Sequence, residues 1–419
     1  MRRYFPFLEW IPAYRKQDFS GDLAAGLTVG VMLIPQGMAY AVLAGLPAIY
    51  GLYASTVALI VYALFGSSRK LAVGPMAMVS LMVASGVGGI VEGEGGRFIE
   101  LAIVLGLLVG FIQLIFGLLR LGFVIRWLSK PVIGGFTSAV ALVIAASQLK
   151  DFLRLEIPRG QIYETLASVW AQWGGIHWPT FLFASIALLL LVIMKRIHRR
   201  IPGALVVVVL GMLGVGYWQL DVIGIEVIGF VPEGLPAFGL PVFSIQDVYK
   251  LLPSAFAISL VGFIGSYSIA KVVEEDDNEE LDENQELIGL GLANLGGALF
   301  QGFPITGSLS RTAINSDAGA RTGLASIISG ALIVFTLLYL TPYFYYLPKA
   351  VLAAIIMASV LGLVDIKEVI RLWKANKKGF VLFVGTAIGT LVFGIEEGVL
   401  LGIGLEALGR VWERNKSYP

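Results

Sequence analysis

Long apolar runs separated by short polar stretches recur from one end of this chain to the other. A helix needs about 20 such residues to cross a hydrocarbon core. Runs near that length occur at about 22–44, 50–65, 99–119, 132–146, 181–194 and 204–218. After a more polar stretch at 219–247 they resume at about 251–272, 286–300, 324–340, 350–363, 379–393 and 397–408. The short alternating segments of an outer-membrane barrel do not appear. The pattern predicts an all-α integral membrane protein.

Two stretches break the pattern in a shared way. Leu71-Ala-Val-Gly-Pro-Met-Ala-Met-Val-Ser80 reads as a short extended piece, then Gly74-Pro75, then a helix from about Met76, with proline at the first helical position. In Gly302–Ser316 the breakers are Gly302, Pro304 and Gly307; Ser308 or Ser310 offers an N-cap, and Thr312 to Ala318 can run helically. A third irregularity, Ile34-Pro35-Gln36-Gly37, interrupts the first run, because Pro35 cannot donate to the Val31 carbonyl and Gly37 loosens the next turn. Gln36 and Tyr40, four residues apart, then share a face.

With the two half-helices the count is fourteen segments, seven on each side of 219–247. An odd number per half makes the second half an inverted copy of the first. The expected organisation is a cytoplasmic N-terminal arm (1–19), a first seven-span repeat (20–219), an extracytoplasmic connector (220–247), a second, inverted seven-span repeat (248–411) and a cytoplasmic stub (412–419).

Arg311 falls between membrane-length segments, where an arginine costs roughly 2.5 to 3.5 kcal/mol even on a lenient insertion scale. A helix beginning there gathers unpaired N–H groups, the positive end of its dipole and the guanidinium in one place, which is an anion site. The rival reading has Arg311 reaching a headgroup or held in a structural ion pair, and Gln36 bonded to backbone at a packed kink. Two breaker-then-helix elements, one per half, favour a transporter site built from half-helices.

Composition narrows the function classes. The 419 residues are 57% hydrophobic and 14% charged, and mean hydropathy is +0.83, outside the range of soluble domains. Thirty basic and 29 acidic residues nearly cancel, so nucleic acid is not an expected partner. Cysteine is absent and His177 and His198 are the only histidines, which removes disulfides, thiolate metal sites and histidine-based catalytic pairs. No metal, cofactor or enzymatic constellation is expected.

Charge also sets an orientation. Arg69 with Lys70, Arg120, Arg126 with Lys130, Lys195 to Arg200, Lys367 to Lys378 and Arg410 to Lys416 fall on one side, whereas the opposite loops at 91–98 and 219–247 hold only Arg97. The positive-inside rule then gives a multi-pass protein of the cell (inner) membrane with both termini cytoplasmic. Lys349, at a predicted outer helix end, is the exception. The first nineteen residues lack the apolar core of a signal peptide, and the acidic run Glu274 to Glu286 reads as a solvated connector without calcium-loop spacing. Small-xxx-small pairs at Gly26/Gly30, Gly106/Gly110 and Gly398/Gly402 allow close helix approach and leave a homodimer open without locating its face.

Several motifs carry a resemblance. Ile34-Pro-Gln-Gly-Met-Ala-Tyr40, Val73-Gly-Pro-Met-Ala77, Asn284-Gln-Glu-Leu287, Gly291-Leu-Ala-Asn-Leu295 and Gln301-Gly-Phe-Pro-Ile-Thr-Gly-Ser-Leu-Ser-Arg-Thr-Ala313, collinear over about 20–411, resemble the sulfate permease (SulP) family. The resemblance implies two inverted seven-span repeats, a core domain moving against a gate domain in an elevator-like alternating-access cycle, and secondary transport of a small inorganic or organic anion, with sulfate as the expected substrate. Matched position by position, it implies a binding site from Gln36 and Tyr40, from Met76, Ala77 and Met78, and from Leu309, Ser310 and Arg311. Dicarboxylate or bicarbonate carriage, an anion channel and a voltage-responsive membrane motor remain as alternatives.

Two departures accompany it. Proton-coupled members similar to this chain carry a glutamate in a stretch like GF-x-E-S, and here Gly262-Phe-Ile-Gly-Ser266 places Gly265 at that coupling position. Family members also usually continue into a cytoplasmic STAS domain where this sequence stops, so the expectation is a membrane domain without that C-terminal domain.

Overall fold

The computed structural model describes residues 5–91, 95–123, 129–158, 160–197, 202–275 and 281–416. Of the features named above, residues 1–4 of the arm, 92–94, Arg126, 198–200, 276–280 of the acidic run and 417–419 lie outside them. The described chain is helical except for irregular connections and two short strands, β1 (Val73–Gly74) and β2 (Thr306–Gly307). Lys16–Leu43, Gly96–Leu118, Lys130–Leu153, Trp178–Ile197 and Ile245–Glu274 are each long and apolar enough to cross a membrane. Shorter apolar helices accompany them, among them Gly203–Trp218, Leu324–Tyr339 and Lys349–Val360. This is the architecture of a multi-pass membrane protein.

The predicted runs become helices close to their expected bounds, with two corrections, the first being that the run at about 50–65 is divided by a turn into Ile49–Tyr53 and Val57–Phe65. Lys16–Leu43 is a single helix that continues through Pro35, so the expected interruption there is absent. An internal proline costs about 3 kcal/mol. Nearly every residue from Val29 to Ala41 is buried, and that packing holds the helix together. Gly37 serves approach rather than looseness: the helix Ile49–Tyr53 crosses so near that a Cβ on Gly51 would lie 1.9 Å from the Gly37 carbonyl oxygen. Helices that the apolar pattern left unassigned are Phe7–Ala13, Leu149–Leu153, Ile162–Ala171 and Ile366–Ala375. All are too short or too polar to register as spans.

Packing sorts the helices into two bundles. One contains Lys16–Leu43, Val57–Phe65, Gly96–Leu118, Ile245–Glu275, Glu283–Leu299 and Leu324–Tyr339, and both half-helices sit within it. The other contains Lys130–Ser147, Trp178–Ile197, Gly203–Trp218, Lys349–Val360, Lys377–Phe393 and Ile395–Lys416. We call them the site bundle and the flanking bundle. They meet where Lys349–Val360 and Gly203–Trp218 pack on Lys16–Leu43, and where Ala77–Gly88 packs on Lys130–Ser147.

Two chain crossings between the bundles run side by side. The stretch after Trp218 turns at 219–224 and then runs without regular structure to the helix at Ile245, and the 3-10 turn Thr341–Tyr346 leads from Leu324–Tyr339 to Lys349–Val360. Ile228 N donates to Leu347 O (2.9 Å), Gly229 N to Tyr345 O (3.1 Å), Lys349 N to Glu226 O (2.9 Å) and Gly234 N to Leu337 O (3.1 Å). Lys349, the exception to the charge rule, donates through Nζ to Glu226 at 3.1 Å. Burial pushes the Glu226 carboxyl up, but Lys349 and Arg154 outweigh it and hold it below the usual carboxylate range.

The acidic run also needs correction at its ends. Glu274 and Glu286 are almost fully buried rather than solvated. Glu286 accepts from Tyr62 Oη (2.8 Å) and from Ser67 Oγ (2.6 Å). Glu274 accepts from Ser68 Oγ (2.6 Å) and from the backbone N–H groups of Arg69 (3.0 Å) and Lys70 (3.2 Å). Between them they fix the loop that delivers the chain to β1.

Candidate functional site

The strands β1 and β2 pair antiparallel, with Val73 opposite Gly307 and Gly74 opposite Thr306. Both half-helices, Ala77–Gly88 and Leu309–Asp317, therefore start beside one short ladder. The glycines and prolines that stop each span from running on are what allow an extended piece here. Its freed backbone groups must find partners, since an unpaired buried amide is costly.

They find them in side chains from the surrounding helices. Ile305 N donates to Asn294 Oδ1 (2.8 Å), and Asn294 Nδ2 donates back to Ile305 O (3.2 Å) and to Gln113 Oε1 (3.1 Å). Gly307 N donates to Ser266 Oγ (2.8 Å), whose hydroxyl also meets Thr306 Oγ1 (2.7 Å). Ser308 N donates to Ala72 O (3.1 Å), Ala72 N to Thr312 Oγ1 (3.0 Å) and Asn315 Nδ2 to Lys70 O (2.8 Å). Sequence reasoning missed Asn294, Ser266, Thr312, Glu274 and Glu286. The available signal was polar residues inside, or at the ends of, segments otherwise long enough to cross a membrane.

Ser308 is the N-cap of the second half-helix and Met76 of the first, two residues later than Pro75 at the first helical position would give. Neither start is closed by a side-chain capping bond. The first-turn N–H groups and the positive dipole ends thus stay available at both starts.

Arg311 sits in the first turn of Leu309–Asp317 and is fully buried. Its Nη1 donates to Gln36 Oε1 at 3.4 Å, while Nε and Nη2 have no hydrogen-bond partner among the described residues. Among the described residues its charge meets no carboxylate, and it is buried, so neither reading of Arg311 as a snorkelling residue or a structural ion pair fits. Gly74 makes room for it: its φ is +143°, and a Cβ there would come within 3.2 Å of Arg311 Nη2. A guanidinium withdrawn from water without a counter-charge is strongly unfavourable. Two helix N-termini add potential of the same sign. An anion accepting from Nε and Nη2 would satisfy both at once.

The other expected residues are placed unequally around this point. Gln36 and Tyr40 are buried one turn apart on Lys16–Leu43, and Tyr40 lies within electrostatic reach of Arg311. Ala77 and Met78 are buried and Met76 is half-buried. Leu309 and Ser310 are exposed, and Ser310 Oγ lies 3.4 Å from Ser308 Oγ. Gly265 lines an apolar pocket at the seam of the bundles together with Met78, Val132, Phe136, Val261 and Thr386. A Cβ at Gly265 would meet nothing within 4 Å.

Comparison with known proteins matches residues 19–386 to the model of the Sulfate permease family. The chain is 46% identical over 410 residues to "Sulfate transporter 4.1, chloroplastic" of Arabidopsis thaliana, covering 96% of this chain and 59% of that protein. It is 34% identical over 434 residues to human "Solute carrier family 26 member 6", covering 96% of this chain and 56% of that protein. It thus spans well under two thirds of either relative. Among solved structures, the murine Solute Carrier 26 family member A9 anion transporter, in an inward-facing state, matches with a TM-score of 0.92 at 27% identity, over 98% of this chain and 71% of that one. The transmembrane domain of the cyanobacterial bicarbonate transporter BicA shares the fold, with a TM-score of 0.82 at 24% identity, over 93% of this chain and 98% of that one.

Proposed function

The chain belongs to the sulfate permease family, a family of transporters and not of enzymes, and on that footing we propose that it carries small anions across a membrane, with sulfate as its substrate. The anion sits between the N-termini of the two half-helices, against Arg311, with Gln36 and Tyr40 beside it. The site bundle is the core and the flanking bundle the gate. Displacement of one past the other exposes the anion to each side in turn, with both termini cytoplasmic, as the basic loops favour.

The observation that carries this reading is the buried, counter-charge-free Arg311, with Nε and Nη2 unpartnered beside an uncapped helix start. Each helix terminus contributes up to about 2 kcal/mol in a partly buried geometry. A carrier must also let go, and a millimolar constant amounts to only about 4 kcal/mol. Sulfate suits converging donors and one cation because its charge is spread over several acceptor oxygens. With glycine at position 265, no carboxylate is available there to carry a proton, which favours exchange or uncoupled movement.

The test is uptake of labelled sulfate into proteoliposomes. Arg311→Ala should abolish saturable uptake, a loss of at least about a hundredfold, while the protein stays monodisperse; wild-type uptake would refute the site. Unlabelled sulfate, bicarbonate, chloride, oxalate and fumarate compete in parallel, and preference for one of the others over sulfate would reassign the substrate while leaving the site in place.

A further inference from the structure

The helix Ile366–Ala375 follows Lys349–Val360 after a short turn and leads directly into Lys377–Phe393. Asp365 caps it, accepting from Glu368 N at 2.9 Å. Leu372 is its only buried residue. Ile366, Ile370 and Trp373 are 65%, 50% and 63% exposed. Their spacing of four and three residues puts them in one row along the helix, an apolar row whose members all stay at least half exposed among the described residues.

The basic residues follow the same spacing one position later. Lys367, Arg371 and Lys374 are all exposed, and an offset of one residue turns their row about 100° from the apolar one. Arg371 also donates to Glu368 at 2.6 Å. Between Asp365 and Lys378 there are five basic and two acidic side chains. A packed edge, an apolar row and a basic row at right angles to it form the cross-section of a helix lying at a membrane boundary. The Trp373 ring packs edge-on against Phe380 at 4.8 Å, tying the helix to the flanking bundle.

We propose that Ile366–Ala375 is an anionic-lipid docking surface. Ile366, Ile370 and Trp373 sink below the headgroups, while Lys367, Arg371 and Lys374 bind lipid phosphates, so that the flanking bundle is anchored to the leaflet it faces. The covering surface is lipid rather than protein because the helix is joined at both ends, through a few residues, to segments of the membrane domain, and its basic row complements a negative headgroup layer. This rests on the membrane placement of the chain and is independent of the anion bound at Arg311.

The test uses the full chain in nanodiscs of phosphatidylcholine, with and without phosphatidylglycerol. Subtracting the emission of Trp373→Phe from wild type isolates one ring among eight tryptophans. That component should be quenched by brominated phosphatidylcholine and protected from aqueous iodide; the reverse would make the row a protein-facing surface and overturn the proposal. With Lys367, Arg371 and Lys374 all changed to Gln, phosphatidylglycerol co-purification over phosphatidylcholine should fall by on the order of tenfold to a hundredfold. Unchanged lipid preference would overturn the headgroup contact. If the triple variant does not fold, the Trp373 measurement still decides. Sulfate uptake plays no part in either readout, so failure here is distinguishable from failure of the transport reading.

Discussion

The helix that starts at Ala77 contains no charged residue along Ala77–Gly88, whereas Leu309–Asp317 carries Arg311 in its first turn with Thr312 and Asn315 just behind it. Both leave the same two-residue ladder, and both lack a side-chain cap. They differ in what they give to the structure. The second supplies the cation and, through Thr312 and Asn315, the bonds to Ala72 N and Lys70 O that fix the first. The first receives those bonds and presents small or apolar side chains, Ala77 and Met78, around a bare backbone terminus. A positive pocket needs only one buried charge if the opposite wall is backbone. A second arginine there would add repulsion as well as a further desolvation cost.

Changes on each wall test that division, and they are expected to rank. Gly74→Ala should have the largest effect, because it forces a side chain into a left-handed backbone region and against Arg311 Nη2. Strain of about 1–3 kcal/mol should lower the melting temperature, and sulfate uptake should fall about tenfold or more as the guanidinium is displaced; full uptake would mean that the first wall does not shape the site. Thr312→Val removes the acceptor of Ala72 N and leaves a buried amide unpaired, a loss of about 1–3 kcal/mol readable by thermal unfolding. An unchanged melting temperature would mean that the ladder alone holds the first half-helix. Ser80→Ala should do least. Its buried hydroxyl has no partner among the described residues, so stability should move by less than about 0.5 kcal/mol, and a clear destabilisation would reveal a polar role for this apolar wall.

What the sequence disclosed about these walls follows the range of the interactions involved. Gly74-Pro75, Gly302, Pro304 and Gly307 act on their own backbone, and an arginine among apolar runs is conspicuous by composition, so the two short helices and Arg311 could be read directly. The helical membrane class was equally legible, because apolar length is a local property. Pro35 misled because its local cost is offset by burial of nearly every neighbour from Val29 to Ala41, which only the assembled bundle provides. Glu274 and Glu286 were invisible as organisers because their partners lie far away in sequence: Glu286 reaches Ser67 across 219 positions; Asn294 bonds Ile305 only 11 positions on, but through a backbone bend that the apolar pattern does not show. The exposure of Leu309 and Ser310, beside a wholly buried Arg311, depends on which way the helix is turned, and spacing alone does not fix that.

The crossings at 219–244 and 340–348 have a mechanical corollary. Stitched together by Ile228, Gly229, Gly234 and Lys349, they act as a single batten between the bundles instead of two independent tethers. Slack in either strand is limited, because two of the bonds join the crossings to each other and two join the first crossing to the helices that flank the second. Any sliding of one bundle along the other would therefore have to carry the batten bodily or open its stitches.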